Sequence, residues 1–258
     1  MTAGPIADAV TEDRLLDGRV TLRQPAAGYR AAIDPVLLAA AAPAAAGDSV
    51  ADLGCGAGAA FLCLAARVDA IHTVGLDAAA EAVALARANI QLNGLSARAA
   101  VALADIADPP DWVVPSSYDQ VVCNPPFLER GRVTVSADPG RRQSDVEGSA
   151  DLEAWIAAAH RLLRPKGWLS LIHRADRVDA VCARLAGRFG GVEIVPIWPK
   201  PGAAARRVIV RARKGVRSPA RLSPGLVLHR PDGSFSDAAT AILRGAAALD
   251  DALAAAQD

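Results

Sequence analysis

The stretch Ser49-Val50-Ala51-Asp52-Leu53-Gly54-Cys55-Gly56-Ala57-Gly58, SVADLGCGAG, joins a short apolar run to the helical pattern AAFLCLAARV (59–68). A run of strand length that breaks at three alternating glycines and resumes as a helix predicts a strand–turn–helix unit. Glycine tolerates positive φ and lets the backbone approach a ligand closely, so Gly54, Gly56 and Gly58 are expected to face one. A tight turn with no ligand is the alternative. Outward from this point, the same alternation continues. IHTVGLD (71–77) reads as a strand, then AEAVALARANIQLNG (80–94) as a helix stopped at Asn93-Gly94. ARAAVALAD (97–105) and YDQVVCN (118–124) are further strands, LEAWIAAAHRLLRP (152–165) a helix and GWLSLIHR (167–174) a strand. A helix near 176–188 precedes the strands GVEIVPIW (191–198) and RRVIVRARK (206–214). The alternation predicts a mainly parallel sheet covered on both faces. The last two strands are joined by too short a loop for a crossover helix, so they are expected to pair as an antiparallel hairpin.

Asp52 opens the glycine turn, Asp77 closes the second strand 25 residues later, and Asp105 ends the third. In a doubly wound sheet these three carboxylates line one crevice at the carboxyl ends of the strands. Gly54 to Ala59 also fits G-x-G-x-x-A loosely, the pattern of a dinucleotide site. A pyrophosphate at the helix N-terminus would be opposed by the nearby acid Asp52. S-adenosylmethionine, with no phosphate, a cationic sulfonium and an amino group, suits an acidic loop better.

The fourth strand ends in Cys123-Asn124-Pro125-Pro126-Phe127. Two prolines cannot continue a central strand, because each lacks a ladder N–H and fixes its own φ. The corner they form would hold the Asn124 side-chain carbonyl and the Pro125 main-chain carbonyl as two rigid acceptors for the hydrogens of a flat amino group. Phe127 would stack on the flat substrate. A plain turn at the end of a strand is the alternative.

The D-x-G-x-G-x-G loop, the acid after the second strand and the reversed final hairpin resemble the class I S-adenosylmethionine-dependent methyltransferases, over about residues 48–214. The resemblance implies an α/β, Rossmann-like fold whose seven-stranded, mostly parallel sheet ends in an antiparallel hairpin. It implies Gly54, Gly56 and Gly58 against the methionine part of S-adenosylmethionine with Asp52 beside them, Asp77 on the ribose and Asp105 on the adenine amino group. Asn124-Pro125-Pro126-Phe127 resembles the (N/D)PP(Y/F) motif of amino-group N-methyltransferases, which act on adenine N6, guanine N2 or protein glutamine. No metal is expected. The leading segment DRLLDGRVTLRQPAAGYRAAIDPVLLAAAA resembles that of the bacterial tRNA (adenine-N6)-methyltransferases that modify the adenine beside the anticodon of a valine tRNA. Gln24-Pro25, Gly28-Tyr29-Arg30 and Asp34-Pro35-Val36-Leu37-Leu38 carry that likeness. It implies Gly28, Tyr29 and Asp34 on the cofactor wall, against the alternative of a packing helix capped by Asp34.

Composition bounds the partner. The chain has 258 residues, 28 basic and 28 acidic, so no global attraction to nucleic acid or membrane is expected. Local basic clusters exist. Arg130, Arg132, Arg141 and Arg142 lie in the polar stretch after the corner, and Lys200 to Arg230 holds nine Lys or Arg with no acid. Such clusters grip phosphates, or are merely a solvated face. Arg207, Arg211 and Arg213 alternate along a strand and are expected to share one exposed face. Four scattered cysteines and four histidines give no metal-site spacing. The opening residues lack a signal-peptide pattern and no long apolar run lacks charge or proline, which predicts a cytoplasmic protein.

The expected organisation is an N-terminal cofactor-covering segment (1–47), a methyltransferase domain (48–214) and a C-terminal extension with a helix (215–258). The expected reaction is methyl transfer from S-adenosylmethionine to adenine N6 in tRNA. The rivals are a protein glutamine N5-methyltransferase, an rRNA guanine-N2 methyltransferase and a noncatalytic nucleotide- or RNA-binding module; oligomeric state is not legible.

Overall fold

The structure, a computed structural model, describes residues 10–27, 30–126 and 151–256. It opens with a hairpin of β1 (Val10–Leu15) and β2 (Val20–Pro25), followed by helix α1 (Asp34–Ala41). Then come β3 (Ser49–Leu53), α2 (Ala59–Arg67), β4 (His72–Asp77), α3 (Ala80–Leu92), β5 (Ala99–Leu103) and β6 (Tyr118–Cys123). After the undescribed stretch follow α4 (Leu152–Leu162), β7 (Leu163–Arg174), α5 (Val178–Leu185), β8 (Phe189–Trp198) and β9 (Arg207–Lys214). The chain closes with the short strands β10 (Arg221–Leu222) and β11 (Leu226–Val227) and helices α6 (Asp237–Leu243) and α7 (Leu249–Ala254).

The sheet runs β5-β4-β3-β6-β7-β9-β8, and β10 and β11 both pair with the outer edge of β8. Five strands from β5 to β7 are parallel, and β9 runs antiparallel between β7 and β8. The expected seven-stranded, mostly parallel class I methyltransferase sheet is therefore present, with two short strands added. Strand order reverses at β3, which sits between β4 and β6, so the crevice of this sheet opens at the carboxyl ends of β3 and β6.

Two apolar layers cover the sheet. Val50 faces α1, α2 and α3, together with α6 and α7 from the end of the chain. Ala51 and Leu53 face α4 and α5. This period-two alternation along β3 puts Asp52 on the α2 side. Phe61 of α2 is wholly buried there, a side chain contributing roughly 2–3 kcal/mol by burial alone.

Several local expectations change. The helix after the undescribed stretch ends at Leu162 rather than reaching Pro165, because Leu163 already pairs with Tyr118 of β6. Arg164 to Gly167 form an irregularity in the ladder between the Tyr118–Leu163 and Gln120–Trp168 pairs, with Lys166 at φ +66°. Strand β5 stops at Leu103, so Asp105 lies two residues beyond it. Asp34 does not cap α1: Ile33 holds that position, and the Asp34 carboxylate instead accepts from Arg207 Nε at 2.6 Å. The end of the chain forms two short helices where one was expected. The expected face of exposed arginines is also absent. Arg211 is 4% exposed and lies between Glu193 and Asp250, while Arg207 pairs with Asp34 and Arg213 stacks 5.1 Å from the Trp168 ring centre. A guanidinium can sit inside when carboxylates surround it, so the alternation marked a paired face rather than a wet one.

Candidate active site

Leu53 and Cys123 are register partners on adjacent parallel strands. The glycine turn after one and the proline corner after the other therefore leave the sheet side by side. The turn is held by backbone bonds to β4 and within itself: Cys55 N–H donates to Leu76 O at 3.0 Å and Gly58 N–H to Cys55 O at 2.9 Å. All three glycines have positive φ: +63° at Gly54, +54° at Gly56 and +93° at Gly58.

The surroundings of each glycine differ. A Cβ on Gly54 would lie 2.4 Å from Cη2 of Trp155, which packs beneath it from α4. A Cβ on Gly58 would lie 2.6 Å from Cζ of Phe61. Gly75 in β4 is tight as well, since a Cβ there would meet Cys55 Sγ at 2.7 Å. At Gly56 a Cβ would meet no atom of the described residues within 4 Å. The turn is thus packed against rings and sulfur at its two ends and presents bare backbone at its middle.

Asp77 supports that middle. Its Oδ2 accepts from Gly56 N–H at 2.8 Å and its Oδ1 from Ala79 N–H at 2.9 Å. Each carboxylate oxygen keeps a second lone pair for a ligand. Asp105 is exposed one strand further out, with Oδ1 accepting from Ala107 N–H at 2.9 Å. Asp52 is placed differently, 3% exposed beneath the turn, and its Oδ2 has no hydrogen-bond partner among the described residues. Burial pushes its carboxyl up to about 8, against the pull of the Phe61 backbone amide and with a further push from Asp77. The Asp77 carboxylate beside the turn suits a cation and opposes a phosphate, whereas burial keeps Asp52 mostly uncharged near neutral pH. The backbone at Gly56 together with the Asp77 carboxylate fits S-adenosylmethionine better than a pyrophosphate.

At the corner, Asn124 is half-buried, Pro125 is buried and Pro126 is half-buried. Cys55 and Cys123 flank the site, and burial pushes both thiols up, so neither forms a thiolate nucleophile near neutral pH. Phe127, Gly28, Tyr29, Arg130, Arg132, Arg141 and Arg142 lie outside the described residues. Among the described residues no three His, Cys, Asp or Glu side chains gather as metal ligands, and no helix is long and apolar enough to cross a membrane.

Two contributors escaped the sequence. Trp155 was legible only as a helix residue, since nothing local tells that its ring reaches Gly54. Gly75 was legible only as a strand residue, although glycine inside a strand signals a close approach.

The family model described as "Methyltransferase small domain" matches residues 32–197. A "tRNA1(Val) (adenine(37)-N6)-methyltransferase" from Aeromonas salmonicida is 31% identical over 209 residues, covering 79% of this chain and 84% of that one. A "Release factor glutamine methyltransferase" from Gloeobacter violaceus is 30% identical over 177 residues, covering 64% of this chain and 58% of that one. Among solved structures, a protein of Agrobacterium tumefaciens described as a "predicted O-methyltransferase" superposes with a TM-score of 0.70 at 29% identity, over 83% of this chain and 97% of that one.

Proposed function

The chain belongs to the methyltransferase small-domain family of class I S-adenosylmethionine-dependent enzymes, and we propose that it methylates the N6 amino group of an adenine in tRNA. The observation that carries this reading is the register match of Leu53 with Cys123, which sets the Asn-Pro-Pro corner directly beside the glycine turn.

The bound cofactor supplies an electrophilic methyl group. An aromatic amino group is a poor nucleophile because its lone pair is spread into the ring. The Asn124 side-chain carbonyl and the Pro125 main-chain carbonyl accept its two hydrogens and turn the lone pair toward the methyl. Two prolines fix these acceptors beforehand, so they need no reorganisation as charge develops. With the cofactor bound, its methyl would pass from sulfur to the nitrogen held by Asn124 and Pro125, and the proton lost from nitrogen would pass to solvent. Asp77 holds the ribose, Asp105 the adenine amino group of the cofactor, and Asp52 supports the turn from below. Phe127 stacks on the substrate base. Gly28, Tyr29 and Asp34 complete the cofactor wall, and Arg130, Arg132, Arg141 and Arg142 grip RNA phosphates.

The adenine reading is supported by relatives so named, which the chain matches over most of their length. A base in an anticodon loop is unpaired and costs little to extrude, which suits an enzyme of this size. A glutamine amide is the second reading, because relatives with that printed name also match; it presents the same two hydrogens to the corner. A hydroxyl acceptor fits poorly, since it offers one hydrogen and needs a base that two carbonyls do not supply.

The test is incubation with labelled S-adenosylmethionine and separate tRNA, rRNA and protein fractions, followed by nucleoside mass spectrometry. N6-methyladenosine in tRNA is expected, and label confined to protein would overturn the reading. Asn124→Ala is expected to abolish transfer while leaving the Kd for cofactor within about threefold; equal loss of both would make the corner structural.

A further inference from the structure

Helix α3 carries Asn89, and Asn93 caps its C-terminus one turn later; the two side-chain amides act as rungs of a ladder. Strand β2 pairs with β1 along one edge only. On its other edge, Arg23 N–H donates to Asn89 Oδ1 at 2.8 Å, and Asn89 Nδ2 donates back to Arg23 O at 2.8 Å. Thr21 makes the same exchange with Asn93, at 2.9 and 2.8 Å. The spacings agree: four helical residues advance ~6 Å and two strand residues ~6.7 Å. One helix face thereby replaces a third strand.

Asn89 differs from Asn93 in its second donor hydrogen. Nδ2 also reaches Ala57 O at 2.9 Å, the carbonyl between Gly56 and Gly58. The second bond of Asn93 goes only to Asn89 O within the helix. Asn89 is 0% exposed, and its three bonds use both donors and the acceptor. A single side chain therefore ties the glycine turn to the N-terminal hairpin.

The hairpin passes this tie onward. Gln24, buried in β2, accepts from Ala31 N–H at 2.7 Å and donates to Asp13 at 2.8 Å. Arg30 donates to Asp13 at 2.7 Å, Thr11 at 2.6 Å and Pro25 O at 3.0 Å. The chain entering α1 is thus fixed to the hairpin, and the hairpin to the turn through Asn89. We propose that Asn89 is a positioning residue for cofactor binding: it holds the backbone of Ala57, and with it Gly56, in register with the N-terminal segment. An amide is required, because only a group with two donors and one acceptor serves both strand and turn.

The inference rests on the glycine turn as the cofactor site, which a Gly56→Ala variant tests separately. Asn89→Ala and Asn93→Ala form the matched pair. Each removes a rung from β2 and lowers the melting temperature, but only the first releases Ala57. By calorimetric titration, Asn93→Ala is expected to bind S-adenosylmethionine within twofold of the unaltered chain, and Asn89→Ala at least tenfold more weakly. A second measurement needs no variant. Because coupling between sites is reciprocal, saturating S-adenosylmethionine is expected to slow hydrogen exchange at the Arg23 amide of the unaltered protein several-fold. Equal Kd values for the two variants would overturn the proposal, as would unchanged exchange at Arg23; the exchange result decides the matter should Asn89→Ala fail to fold. Weak binding by Gly56→Ala alongside normal binding by Asn89→Ala would leave the turn as the site and remove only the coupling.

Discussion

Replacing Gly56 with alanine separates binding from folding. Alanine at φ +54° pays a left-handed backbone penalty of about 1–2 kcal/mol. Its Cβ meets no atom of the described residues within 4 Å, so no packing penalty is expected from them. For a chain of this length each kcal/mol lowers the melting temperature by about 2–4 °C, which places the expected loss at about 2–8 °C. The added methyl nevertheless projects from the bare middle of the turn, where the cofactor must lie against backbone. Gly54→Ala is the contrast. It carries a similar backbone penalty at φ +63°, and its Cβ would lie 2.4 Å from Trp155, a ring held in the core. Overpacking of that kind adds about 1–3 kcal/mol. Thermal melts and calorimetric titration with S-adenosylmethionine give the two readouts. Gly56→Ala is expected to melt only slightly early yet bind at least tenfold more weakly, whereas Gly54→Ala loses more stability. Binding by Gly56→Ala within twofold of the unaltered protein would refute the assignment of this turn to the cofactor.

Two further outcomes follow from the buried charges. Asp52 has its folded pKa raised to about 8 from an ordinary 3.8, so its neutral form favours the fold; that stability is complete below about pH 4 and drains away as pH climbs through 8. The unfolding free energy is expected to fall less steeply with pH in Asp52→Asn, by up to about 1.4 kcal/mol per pH unit across pH 5–7, measured by urea unfolding, and identical slopes would refute it. Arg211→Ala strips a buried partner from Glu193 and unfastens Asp250 of α7; a loss of about 3–5 kcal/mol in urea unfolding is expected, and a loss below about 1 kcal/mol would show the cluster to be idle.

The sheet was legible because its strands are short, apolar and bounded by glycine, proline or aspartate, and because the short connection over residues 199–206 allows only a hairpin between β8 and β9. The corner was legible because two prolines leave a strand few ways to end. What stayed hidden depends on contacts far apart in sequence. Strand β1, VTEDRL, has alternating exposure along a polar run, so no apolar pattern announces it. Asn89 and Asn93 were visible as polar residues one turn apart beside buried Val83, Ala86 and Ile90, but β2 lies 66 residues away from Asn89. Arg211 looked like a surface cation because its counter-charges, Glu193 and Asp250, sit in other elements. Charge alternation reports a face, and the fold decides whether water reaches it.

The strands β10 and β11 have a consequence for handling the protein. Strand β8 spans ten residues and stands at the end of the sheet, a long edge of the kind that recruits strands from other molecules. Arg221 and Leu222 cover Glu193 and Ile194, and Leu226 and Val227 cover Ile197 and Trp198. A chain cut after Lys214 would bare this edge and remove Arg221 from Glu193, which keeps Arg211 as its partner. Self-association through open strand edges, rather than loss of the catalytic sheet, is the expected fate of such a truncation.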